Sequence, residues 1–234
     1  SHLPSVIDFP FSYEVGQALG RNSNPNDIKK IYYTLAQDFI YPNPKDNVIF
    51  LDNHDTDRFY STVGKDIRKY KLGFALLMVN RGIPQMYYGF EINLYGSRKK
   101  GDADIRKDFP GGWSEDKRSA FVKNGRTNEE NEIWEFCSRL LNWRKGNNTI
   151  HNGHTMQFIP LKDGIYSIFR YDEEKVIGLI INPSEEKVVI KSNRYDELTH
   201  GQKRYLDIVD GKIKKWENQI NIPPVGFRLI EFKL

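Results

Sequence analysis

Apolar positions along the first 146 residues switch repeatedly between strand-like runs and helical spacing. Ser5-Val6-Ile7-Asp8-Phe9 reads as a strand, after which Ile28, Ile31, Tyr32, Leu35 and Phe39 recur at about 3.6-residue intervals. Asn47-Val48-Ile49-Phe50-Leu51 is a continuous apolar run, the pattern of a parallel strand covered on both faces. Ile67, Tyr70, Phe74, Leu77 and Met78 mark the next helix, and residues 83–88 a third strand closed by Gly89. Ile133, Phe136, Cys137, Leu140 and Leu141 mark a further helix. It ends near Gly146, with Arg144 and Lys145 in its last turn, where cations complement the helix dipole. Strands separated by helices predict a parallel αβ layer.

The texture changes after Asn147-Asn148. Short runs rich in β-branched and aromatic residues occupy 156–160, 165–171, 176–182, 188–191, 205–209, 219–222 and 227–232. Turn signals separate them, among them Lys162-Asp163-Gly164, Asn182-Pro183-Ser184 and Asp210-Gly211. This spacing predicts an antiparallel β-sandwich or barrel, of which the sandwich is the expectation carried forward. The expected division is an αβ domain over 1–150 and an all-β domain over 151–234.

Composition narrows the classes. The 234 residues are 38% hydrophobic and 13% aromatic, which supports a packed core and excludes disorder. A net charge of +4, from 35 basic and 31 acidic residues with interspersed signs, points to neither nucleic acid nor an anionic membrane. One cysteine, Cys137, excludes an internal disulfide. No apolar run reaches the length of a membrane span, and no signal peptide opens the sequence.

The sharpest chemistry lies in Phe50-Leu51-Asp52-Asn53-His54-Asp55-Thr56-Asp57-Arg58-Phe59, where an apolar strand runs directly into a polar cluster. On parallel αβ sheets, ligands sit at the C-terminal strand ends. Asp55 there suits hydrogen bonding to sugar hydroxyls or stabilisation of a developing cation. His54 suits donation to a hydroxyl, and Arg58 the holding of a carboxylate. The same residues also fit a polar loop with an Asx-turn and a surface ion pair. Tyr87 and Tyr88 fit the core better than a ligand platform. Trp113 lies in a Gly-rich loop and fits either sugar stacking or local packing. His151 and His154 lack a third ligand, so no metal site is expected, and Asp102 with Asp104 reads as a solvated acidic loop.

Phe50-Leu51 followed by Asn53-His54-Asp55 resembles the fourth conserved region of the α-amylase superfamily, glycoside hydrolase family 13. The extended Asn-His-Asp-Thr-Asp-Arg-Phe form resembles the neopullulanase, cyclomaltodextrinase and maltogenic amylase branch. Arg81-Gly82-Ile83-Pro84-Gln85-Met86-Tyr87-Tyr88-Gly89-Phe90-Glu91 resembles the family's eighth-strand motif, with Phe90 where the family commonly has Asp. Ser5-Val6-Ile7-Asp8-Phe9-Pro10 resembles its sixth strand. Asp104-Ile105-Arg106 and Phe109-Pro110-Gly111-Gly112-Trp113 resemble the loop after the eighth.

The resemblance implies retaining hydrolysis of α-1,4-glucosidic bonds. Asp55 would be the transition-state stabiliser, and His54, Asn53 and Arg58 would bind substrate. The nucleophile and acid–base segments of the family do not occur in these residues. The expectation is therefore a C-terminal fragment: the last part of a (β/α)₈ TIM barrel followed by a β-sandwich, inactive on its own. No cofactor or metal is expected in this chain, and any calcium is assigned to the missing part of the parent. The expected partners are an α-glucan or maltooligosaccharide, and either a second copy of the chain or the missing barrel half. The other reading is a non-catalytic carbohydrate-binding or structural module. Periplasmic, extracellular and cytoplasmic placements all stay open.

Overall fold

The computed structural model describes residues 5–234. Its first layer is parallel. Strand β1 (Val48–Phe50) pairs with β2 (Ile83–Gln85) in the register Val48 to Ile83 and Phe50 to Gln85. On the other side of β1, the Val48 N–H donates to the Val6 carbonyl at 2.9 Å, and the Asp8 N–H to the Val48 carbonyl at 2.8 Å. Ile49 and Phe50 are fully buried, as a run apolar on both faces requires.

The expected strand at 5–9 is cut to a single bridge at Ile7, because helix α1 (Phe9–Leu19) starts early. Asp8 caps it, its carboxylate accepting from the Phe11 N–H at 3.0 Å, and Pro10 fits the first turn, where no N–H is needed. The sequence reading missed α1 altogether. Helix α2 (Lys29–Leu35) buries Ile31 and Leu35, whereas Phe39 falls in a separate 3₁₀ turn and is exposed.

A short helix α3 (Phe59–Thr62) precedes α4 (Ile67–Val79). From Leu72 to Val79 every side chain of α4 is buried. A surface helix shows one apolar stripe; one apolar all round is covered on every side. The parallel layer lies on one side, and the C-terminal sheet covers the other: Ile168, Ile177, Leu179, Ile181 and Leu229 share a core with Leu76 and Leu77. After α5 (Asp102–Ile105) comes α6 (Asn128–Lys145), started by a capping box between Thr127 and Glu130. Near its end, the buried Arg144 donates to the carbonyls of Met78, Asn80 and Gly82, so α6 also fastens the connection between α4 and β2. Helix α7 (Asn148–Asn152) leads into the β region.

That region is an antiparallel sandwich. Its strands are β3 (His154–Phe158), β4 (Tyr166–Tyr171), β5 (Lys175–Asn182), β6 (Val188–Lys191), β7 (Arg204–Asp207), β8 (Lys212–Lys215), β9 (Gln219–Ile222) and β10 (Gly226–Lys233), with a short helix α8 (Asp196–Thr199) between β6 and β7. The large sheet has the order β3-β4-β5-β10-β7-β8, and β6 pairs with β9 in the small one. Phe169, Ile180, Ile230 and Phe232 of the large sheet pack against Ile190, Ile220 and Ile222 of the small one. Strand β8 went unread, because Lys212-Ile213-Lys214-Lys215 lacks the apolar pattern; it is one of the sheet's two edge strands, where lysines discourage further pairing.

Candidate active site

Strand β1 delivers Leu51 and Asp52 to a tight turn. The Asp55 N–H donates to Asn53 Oδ1 at 2.8 Å, and the Asn53 N–H to Thr56 Oγ1 at 2.9 Å, so Asn53 is occupied in shaping the turn. His54 and Asp55 stand outward, with side chains 64% and 55% exposed. His54 Nε2 lies 3.2 Å from Asp55 Oδ2, and Arg106 Nη2 lies 3.2 Å from Asp55 Oδ1. Arg106 Nε donates to the His54 carbonyl at 2.9 Å. Three of the four predicted residues, Asn53, His54 and Asp55, are thus brought together at the C-terminal end of a parallel strand.

Arg58 sits beneath them and not beside them. It is 1% exposed. Its Nε donates to the Ile105 carbonyl at 2.7 Å and its Nη1 to the Tyr88 carbonyl at 2.5 Å. Its guanidinium lies 4.1 Å from the Tyr87 ring centroid and 4.7 Å from that of Tyr88. The Tyr87 ring in turn faces His54 at 6.5 Å. Arg58 therefore ties the loop after β2 and the 96–106 loop under the turn, a role that the expectation of a carboxylate-holding substrate residue did not foresee.

Asp52 is a second residue the sequence reading passed over. It is buried and accepts the Phe59 N–H at 2.8 Å, capping the first turn of α3. Burial pushes its carboxyl up to about 6, against the opposing pull of the Phe59 N–H and the Arg58 cation. Glu91 is likewise raised by burial. The signal available in the sequence was its place directly after an apolar run covered on both faces, where Asp52 is buried with Ile49, Phe50 and Leu51. Arg106 carried no such signal beyond its loop, because only the folded chain brings it to Asp55.

Among the described residues no cluster of three His, Cys, Asp or Glu could hold a metal, and no helix is long and apolar enough to cross a membrane. A cavity of about 440 Å³ opens between α4, α6 and the C-terminal sheet, lined by Phe136, Val225 and Phe227. Of the cations on its rim, Lys71 pairs with Glu132, Lys214 with Asp207 and Asp210, and Arg68 with Asp66 and Glu185, while Arg228 Nε donates to the Asn221 carbonyl at 3.0 Å.

Residues 2–153 match the family model described as "Alpha amylase, catalytic domain", and residues 155–231 that of the "Cyclo-malto-dextrinase C-terminal domain". The chain belongs to the α-amylase family. It is similar to a cyclomaltodextrin glucanotransferase of Geobacillus stearothermophilus, 33% identical over 155 residues that make up 65% of this chain and 19% of the relative. It is also similar to the cyclomaltodextrin glucanotransferase of Bacillus licheniformis, 29% identical over 231 residues, 98% of this chain and 28% of the relative. An Anoxybacillus α-amylase shares the fold, with a TM-score of 0.72 at 23% identity over 98% of this chain and 47% of that one. The chain thus spans under a third of these curated relatives and about half of the solved structure.

Membership in the α-amylase family corrects the fragment reading. The catalytic-domain match runs through residues 2–153, so this region stands as a (β/α)-type catalytic domain ahead of an antiparallel β-sandwich, not merely as the C-terminal portion of a barrel. The expectation that the chain is a C-terminal part, inactive alone, rested on the family's nucleophile and acid–base segments not occurring in these residues. It is withdrawn on the same finding.

Proposed function

We propose that the protein is a retaining hydrolase of α-1,4-glucosidic bonds, acting on maltodextrin-like glucans. The observation that carries this reading is the outward pair of Asp55 and His54, 3.2 Å apart, at the C-terminal end of β1 in an α-amylase-family catalytic domain. Retaining glycosidases pass through an oxocarbenium-like transition state. A carboxylate close to the reacting sugar gains most when that positive charge develops, and so lowers the barrier more than it tightens ground-state binding. Asp55 supplies this charge and accepts hydrogen bonds from the sugar hydroxyls. His54 donates to the same sugar, Asn53 shapes the turn, and Arg58 acts from beneath by holding the surrounding loops. The cyclo-malto-dextrinase-type domain over 155–231 and the two cyclomaltodextrin glucanotransferase relatives support maltodextrins and cyclodextrins as the substrate class.

The test is Asp55→Asn. The account expects kcat on maltoheptaose to fall by about 100-fold or more, with KM within about threefold and the circular dichroism spectrum unchanged. A kcat within about threefold of wild type would sink the assignment of Asp55.

A further inference from the structure

We propose that Arg106 is a positioning residue for Asp55, fixing the carboxylate in the orientation needed when charge develops on the sugar. This rests on the reading of Asp55 given above. The planar guanidinium grips two consecutive residues at once, through Nε on the His54 carbonyl at 2.9 Å and Nη2 on Asp55 Oδ1 at 3.2 Å. A rigid fork of this kind sets direction as well as charge, which a lysine ammonium does not. The other carboxylate oxygen, Oδ2, faces His54 Nε2 at 3.2 Å. Arg106 therefore hydrogen-bonds one oxygen of Asp55, while the other lies beside His54. A carboxylate has about four lone-pair sites, so capacity remains for sugar hydroxyls.

Arg106 is itself held in place. Ile105, its neighbour, is fully buried, and its carbonyl accepts from the buried Arg58. The Arg58 N–H donates to the Gly96 carbonyl at 3.1 Å and the Gly96 N–H to Ser61 Oγ at 2.9 Å, while Asp57 Oδ1 accepts the Arg98 N–H at 2.5 Å. The 96–106 loop is thereby stitched to residues 57–61 at both its ends. Asp102 Oδ2, 3.1 Å from Arg106 Nη2, shares that nitrogen with Asp55 and gives the guanidinium a second carboxylate partner. The Arg106 side chain is 43% exposed, so its ion pairs contribute little to folding stability. Its consequence lies in orientation, and orientation is felt at the transition state.

The experiment measures maltoheptaose hydrolysis by the full protein with Arg106→Met, Arg106→Lys, Asp55→Asn and the double variant Arg106→Met with Asp55→Asn. Arg106→Met is expected to lower kcat by about tenfold or more with KM within about threefold, while Tm stays within about 2 °C of wild type. Arg106→Lys recovers part of the rate, and it carries the test if Arg106→Met does not fold. In the Asp55→Asn background, Arg106→Met has no further effect, since its influence runs through Asp55. The proposal is overturned by a kcat within twofold of wild type in both single Arg106 variants, by a loss confined to KM, or by full additivity with Asp55→Asn. Retention of kcat in Asp55→Asn instead refutes the reading of Asp55 itself, and a loss in that variant with none in Arg106→Met refutes only the role of Arg106.

Discussion

Asp52 and Asp55 lie three residues apart on one turn, and burial gives them different chemistry. Asp55 stands exposed at the surface, whereas Asp52 is buried and its carboxyl is pushed up to about 6. A carboxyl whose folded value lies above its unfolded value, here 3.8, favours the folded state only while protonated. Its contribution is therefore most favourable below about pH 4, declines as pH rises to about 6, and is constant beyond. Two units correspond to roughly 3 kcal/mol. In Asp52→Asn, the amide oxygen still accepts the Phe59 N–H and the charge is gone. Urea unfolding at pH 4 and pH 8 should show wild type losing stability relative to Asp52→Asn across this interval. Parallel pH profiles for the two proteins would count against the buried charge. The sequence pointed to Asn53, His54 and Asp55 because they follow an apolar strand. It could not place Arg106 or show that Arg58 turns inward, since both depend on a loop that returns from 40 residues downstream.

At the scale of elements, local pattern was a good guide where a long apolar period decides the element. The periods at 67–78 and 133–141 correspond to α4 and α6, and the runs at 188–191 and 219–222 to β6 and β9. It failed where context overrides pattern. The apolar residues after Ser5 were read as strand to Phe9, but the Asp8 cap and Pro10 turn the chain into α1. Central strand β5 shows how closely the elements fit. Gly178 lies opposite Phe169 of β4, and a Cβ there would sit 2.3 Å from the Phe169 ring. Gly178→Ala must displace a buried aromatic shared with Tyr195 and Phe158. Overpacking of this kind typically costs about 1–3 kcal/mol, so thermal unfolding should show a clear fall in Tm. An unchanged Tm would mean that the sandwich core yields more readily than its packing indicates.

Across the whole molecule, one core joins the two regions. Helix α4 is covered by the parallel layer on one side and by β4, β5 and β10 on the other, and Trp143 of α6 donates to Glu231 of β10 at 3.1 Å. Patterns of period could announce both regions but not this shared interface, which is made by residues some 100 positions apart. Nor could they weigh the fragment expectation, which rested on the family's nucleophile and acid–base segments not occurring in these residues and gave way to the family match over 2–153. On the proposed reading of Asp55, glucan should engage the 53–55 turn and neither the sandwich nor the 440 Å³ cavity at its junction. Titrating the ¹⁵N-labelled protein with maltoheptaose tests this most directly. The account predicts chemical-shift changes centred on Asn53, His54, Asp55, Tyr87 and Arg106, with residues 155–231 unmoved. Shifts confined to the sandwich or to the Phe136 and Phe227 cavity, with the 53–55 turn silent, would contradict it.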